Sequence, residues 1–126
     1  MSKKMAALEA RMRKFALNFP DAHEEHPWDH IAIKVRKKTF VFLGGHRQSR
    51  GLFSMTVKLP ISAEMATTLP FVEPAGHGLG KSGWVTVKCA AKDKPDPDMF
   101  CEWIEQSYRA IAPKTLVKRL NEALTR

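Results

Sequence analysis

Three short segments of this chain alternate between apolar and polar residues, and that alternation limits the fold more than any other feature. In IAIKVRK (31–37), Ile31, Ile33 and Val35 point one way, and Ala32, Lys34 and Arg36 the other. In LFSMTVKLP (52–60), Phe53, Met55, Val57 and Leu59 form the core side, with Ser54, Thr56 and Lys58 opposite. In WVTVKC (84–89), Val85, Val87 and Cys89 point inward, and Trp84, Thr86 and Lys88 outward. Strands with one apolar and one polar side belong to an antiparallel sheet that is buried on one face. A fourth segment, TFVFLGG (39–45), reads as a strand that is apolar on both sides.

Helical periodicity flanks these strands. Over residues 3–18, Met5, Leu8, Met12, Phe15 and Phe19 recur at spacings of three and four and make one apolar stripe, which Pro20 and Asp21 end. HEEHPWDH (23–30) reads as a short extended edge piece, because Pro27 cannot sit in a sheet centre. Lys37-Lys38 makes a turn, and HRQSRG (46–51) is a polar, basic loop. SAEMATTL (62–69) reads as a short helix capped by Ser62, and PFVEPAGHGLGKSG (70–83) as a loop. Asp96 and Pro97 start a helix over about 97–112 that buries Phe100, Ile104, Tyr108 and Ile111. Pro113 breaks it, and a last helix near 114–124 offers Leu116, Val117, Leu120 and Leu124. This order predicts an α+β two-layer sandwich in one domain of 126 residues, with an antiparallel sheet and helices packed on one face.

Charge narrows the choice of partner. Twenty-one Lys and Arg against 13 Asp and Glu give a net +8, which favours anionic partners, nucleic acid first. No apolar run approaches the roughly 20 residues needed to cross a bilayer. The N-terminus is amphipathic and has no secretion-signal core, so the expected location is the cytoplasm, away from membranes. Cys89 and Cys101 fall in a strand and a helix, and they make neither a disulfide framework nor a ligand set.

Two motifs invite a sharper reading. Ala75–Ser82 spells AGHGLGKS, close to a phosphate-binding P-loop. Such a loop needs a buried strand before it and a helix after it. Here a proline-broken segment leads in and an alternating strand leads out, so the match is expected to be accidental. A smaller possibility is an anion nest using Lys81, Ser82 and His77. The cluster His23, Glu24, Glu25, His26, Asp29 and His30 suggests a metal site, but Pro27 is hostile to the helical spacing that HExxH ligation requires. Solvated surface is the expectation, with no metal and no cofactor. No nucleophile–base pairing stands out.

The outward strand positions carry more. Lys34, Arg36, Lys58 and Lys88 share a polar side with Trp84 and Thr86, and Phe40 and Phe42 would enlarge it if they also face out. Aromatics among cations suit base stacking and phosphate neutralisation.

The chain also resembles the MmcQ/YjbR family. The marks are Glu25, Pro27 and Trp28 leading into a strand with Lys34-Val35, and the turn at Lys38-x-Phe40. Lys58 with Pro60, Trp84 opening a strand, and Ser107-Tyr108 in the late helix complete the set. The resemblance spans about residues 5–122. It implies a fold similar to the frataxin homologue CyaY, an antiparallel sheet with helices on one side. Family members have been described as DNA-binding proteins with a double-wing motif, and the resemblance brings no established catalytic residues. Iron binding of the frataxin type uses an acidic first helix, whereas residues 3–18 here set only Glu9 against Lys3, Lys4, Arg11, Arg13 and Lys14.

The expectation is a non-enzymatic module that binds nucleic acid or another polyanion. Lys34, Arg36, Lys58 and Lys88 would meet phosphates. Trp84, with Trp28, would stack or wedge, and Arg47, Arg50 and Lys81 would steer from the loops. The alternatives are a small anionic ligand at the glycine-rich loop 75–83, or a protein-interaction domain that uses exposed aromatics or the last helix.

Overall fold

The apolar side of the alternating strands is where the helices pack. The computed structural model describes residues 3–27, 30–44, 51–76 and 78–125. The chain runs α1 (Lys3–Leu17), β1 (Ala22–Glu25), β2 (Ile31–Val35), β3 (Lys38–Leu43), β4 (Phe53–Lys58), α2 (Ala63–Ala66), β5 (Val72–Pro74), β6 (Trp84–Cys89), α3 (Pro97–Ile111) and α4 (Lys114–Leu124). Single 3-10 turns lie at Leu79–Ser82 and Ala91–Asp93. The six strands form one antiparallel sheet in the order β1-β2-β3-β4-β6-β5.

One core holds the two layers together. Met5, Leu8, Met12 and Ala16 of α1 meet Ile33, Val41, Leu43, Met55, Val57, Val85 and Val87 of the sheet. Phe100, Trp103, Ile104 and Tyr108 of α3 lie in the same cluster, with Ala66 of α2 and Leu116 and Leu120 of α4. Phe19, just past α1, packs its ring against Phe40 and Tyr108. At α3 the expected cap forms: Asp98 N–H donates to Asp96 Oδ1 at 3.0 Å, and Pro97 takes the first helical position, where no N–H is needed.

Several expectations need correction. The loop after α2 contains a strand, β5, at the sheet edge. Edge placement tolerates its Pro74, which is why prolines did not exclude it. Ser62 does not cap α2 with its side chain. Instead Gln106 of α3 ties down the turn before α2, accepting from Ile61 N and Ser62 N at 3.1 Å each and donating to Ser62 Oγ. Leu124 is 60% exposed rather than buried, and Ile111 and Val117 are only half-buried, so the apolar stripes thin out toward both helix ends.

The largest departure is a β-bulge. Ile33 pairs with Val41, but Lys34 pairs with Thr39, so Phe40 is an extra residue in β3. The bulge turns Phe40 and Val41 both toward the helices, and Phe40 is fully buried there. Strict alternation would have put Phe40 outside. Ser107 repairs the gap in the ladder: its Oγ donates to Phe40 O at 2.6 Å and accepts from Lys58 N at 2.9 Å. A buried α3 hydroxyl thus satisfies two backbone groups where β3–β4 pairing stops.

Candidate nucleic-acid interface

All four helices contribute to the single core, and among the described residues none contributes a core residue to the other face of the sheet. That second face is built by register. Ala32, Phe42, Thr56, Thr86 and Glu73 lie opposite one another across five strands. Lys58 pairs with Trp84 on one side of this row, and Ser54 with Lys88 on the other.

The centre of the face is aromatic above and hydroxylic below. Phe42 and Trp84, both only partly buried, approach with ring centroids 6.0 Å apart, and the His30 ring lies 5.8 Å from that of Phe42. Thr56 and Thr86 are buried and bond to each other, Oγ1 to Oγ1, at 3.0 Å. The predicted residues Lys34, Lys58, Lys88 and Trp84 therefore do share a face, and Phe42 joins them. Phe40 does not, for the reason given by the bulge.

The cations are not equivalent. Lys34 Nζ lies 3.4 Å from Glu25 Oε1 of the neighbouring edge strand, and Lys88 Nζ lies 3.0 Å from Glu73 Oε1 of the opposite edge. Lys58, between them, has no ion pair among the described residues. Both acidic partners come from edge strands whose pairing was not visible in the sequence, and recognising β5 would have revealed Glu73. Exposed pairs of this kind contribute at most about 1 kcal/mol, so a phosphate can compete for either lysine.

Arg36 is placed differently from the expectation. The strand ends at Val35, and Arg36 opens the two-residue turn to β3 with a left-handed φ of 58°. Its Nε lies 3.6 Å from Asp21 Oδ2, while Arg119 of α4 reaches the other oxygen of the same carboxylate at 3.7 Å. Strand directions put this turn, the end of β4 and the start of β6 at one end of the sheet. Arg36, Lys37, Lys38, Lys58 and Lys81 therefore crowd toward that end. Trp28, Arg47, Arg50 and His77 lie outside the described residues.

The glycine-rich segment is a turn leading into β6. Leu79–Ser82 forms a single 3-10 turn, and a strand, not a helix, follows. Its backbone donors are largely used internally: Leu79 N–H bonds to Gly76 O, Gly80 to Ala75 O, Lys81 to Gly78 O, and Gly83 to Gly80 O. Gly83 is required where it stands. Its φ is +88°, and a Cβ there would lie 3.0 Å from Leu59 O, the residue whose N–H bonds to Gly83 O at 2.7 Å. Lys81 and Ser82 are exposed on this turn.

The histidine and carboxylate run at β1 is an ion-pair network. Arg13 of α1 donates from Nε to Glu24 Oε1 at 2.8 Å and also bonds Glu24 Oε2, and His26 Nε2 lies 2.6 Å from that second oxygen. The Arg13 hydrogen bond, helped by His26, holds the Glu24 carboxyl down at about 2 against the opposing effect of burial. Among the described residues no group of three or more His, Cys, Asp or Glu side chains is arranged to hold a metal. Burial pushes the Cys89 thiol up to about 11, which makes it a poor nucleophile, and both cysteines are free thiols. No helix of the described residues is long and apolar enough to cross a membrane.

No curated protein matches this chain. A family model does: the one described as YjbR matches residues 17–110, from the end of α1 to the last turn of α3, which takes in the whole sheet. The match covers most of the sequence, and the chain belongs to the YjbR family.

Proposed function

We propose that this chain is a non-enzymatic module that binds nucleic acid through the uncovered face of its sheet. One observation carries the reading: Phe42, and Trp84 toward one end of the sheet, are only partly buried on a face that no helix of the described residues packs on, and Lys58, which has no ion pair among the described residues, lies across from Trp84. Lys34 and Lys88 flank that centre, and Arg36 and Lys81 extend the cationic zone along one end of the sheet. A net charge of +8 adds long-range attraction for any polyanion.

Titration of labelled oligonucleotides at increasing salt tests the proposal. If the three face lysines meet phosphates, log affinity falls against log salt with a slope of about −2 for single strands and about −3 for duplex. Replacing Lys58 by Gln lowers the slope by a little under one unit. Absence of binding at low salt ends the proposal.

A further inference from the structure

The outward side of α3 borders a cleft that the core does not use. It has a volume of about 390 Å³ and lies between α3 and the turn at Pro60-Ile61. Ile61, on its rim, is 86% exposed, more than any other large hydrophobic side chain among the described residues, and Met65 of α2 is exposed four residues on. Scattered apolar residues on a surface are ordinary, but one fixed at the mouth of a cleft is not. Gln106 accepts from both Ile61 N and Ser62 N, so the turn that presents Ile61 is pinned to the middle of the α3 wall. An anchor held in place beforehand loses little freedom on binding. Glu102, Glu105, Gln106 and Arg109 line that wall at spacings of three and four, on one helix face. Arg109 pairs with Glu105 at 3.1 Å and donates from Nη1 to Asn121 Oδ1, which leaves further donors on its guanidinium. Glu102 has no ion pair among the described residues.

We propose that two copies of this chain pair through this cleft about a twofold axis, α3 against α3 and antiparallel, with Ile61 of each copy in the cleft of the other and Glu102 of each facing Arg109 of the other. Three features select a second copy as the occupant. A twofold interface needs one self-complementary patch, and here a projection and a recess lie side by side. The charges are self-complementary too. Antiparallel helices centred between Glu105 and Gln106 bring residue 102 opposite residue 109, each equally far from the centre. The arrangement also places the apolar anchor near the axis and the charged groups at the margins, as in other protein interfaces. One helix face and one turn bury less than an obligate interface does, so the dimer is reversible. The cleft lies on the helix layer and not on the bare face of the sheet, so this pairing stands or falls independently of nucleic-acid binding.

Sedimentation equilibrium of the full chain at about 0.15 M salt, with protein raised to about 1 mM, tests the proposal. At that salt the screening length is about 8 Å, which mutes the repulsion between two chains of net charge +8 but not the contacts within the patch. The average mass is expected to rise with concentration toward twice that of the single chain. Ile61→Asp weakens association by about tenfold or more and leaves the melting temperature unchanged, because the side chain is exposed. Glu102→Arg alone sets cation against cation across the axis, and Arg109→Glu alone sets carboxylate against carboxylate, so each variant stays monomeric. Mixed in equal amounts, the two variants restore opposite charges at both contacts and form the dimer again. A merely structural role for either residue gives no such rescue, and melting curves confirm that each variant is folded before mixing. A parent chain that stays monomeric throughout overturns the proposal and leaves the cleft to a different partner. Dimers that survive Ile61→Asp, or a mixture that stays monomeric, also overturn it, since the contact then lies elsewhere or in another register.

Discussion

The two faces of the sheet are made from the same strands and answer different demands. On the helix side, Ile33, Val41, Met55, Val57, Val85 and Val87 are all essentially inaccessible and meet apolar partners from the helices. On the other side, Ser54, Thr56 and Thr86 are nearly as buried, yet they are hydroxylic and covered by no helix of the core. Burial on the first side removes apolar area from water, which is the dominant source of stability. Burial on the second side shelters hydroxyls rather than apolar area, which adds less to stability. The comparison teaches that accessibility alone does not mark the core, and that chemistry separates the face the helices pack on from the face they leave bare.

Paired substitutions sharpen that contrast. The largest effect belongs to phenylalanines two residues apart in β3. Phe40→Ala loses about 3–5 kcal/mol of unfolding free energy. Phe42→Ala, on the bare side, loses roughly 1–2 kcal/mol and weakens oligonucleotide binding by about tenfold. Chemical denaturation beside titration checks both, and equal destabilisation would break the distinction between the faces. Next comes Ser107→Ala, which strands Phe40 O and Lys58 N in a buried position and is expected to cost about 2–4 kcal/mol. That loss is read from the denaturation midpoint, with the slope unchanged.

A smaller effect belongs to the tie between α1 and β1. Glu24 titrates near 2 in the folded chain, below its ordinary value of 4.5, so folding favours its ionised form. The stability it supplies is present above about pH 4.5 and disappears as pH falls toward about 2. Glu24→Gln should therefore cost about 1 kcal/mol at neutral pH, with the gap to the parent protein closing in acid; a gap independent of pH contradicts the assignment. The smallest change is Ser54→Ala, whose melting temperature is expected to stay level or rise slightly.

Alternation made the sheet legible because period-two patterns in β2, β4 and β6 map directly onto its two faces. It failed at β3, where one inserted residue reverses the direction of Phe40, and no local sequence signal announces a bulge without glycine. It also failed at β5, whose three residues follow Pro70 and end in Pro74, and prolines argue against a strand unless an edge position is known in advance. The candidate site suffered from the same gap. Lys34 and Lys88 were visible as outward cations, but their carboxylate neighbours Glu25 and Glu73 belong to the two edge strands, and only pairing brings them near. Arg36 continued the alternation on paper, yet the chain turns one residue earlier. That the buried Ser54 Oγ has no hydrogen-bond partner among the described residues was also beyond reach, since a missing hydrogen bond exists only in three dimensions.

The borders of the sheet have a consequence for how copies of this chain meet. β5 is three residues long and ends in Pro74, and β1 is four residues long, carries Glu24 and Glu25, and runs into Pro27. Short, charged or proline-terminated margins make poor templates for adding a strand from another molecule. Growth of the sheet sideways into fibres or ribbons is therefore disfavoured, and copies held at high local concentration keep their β-structure separate.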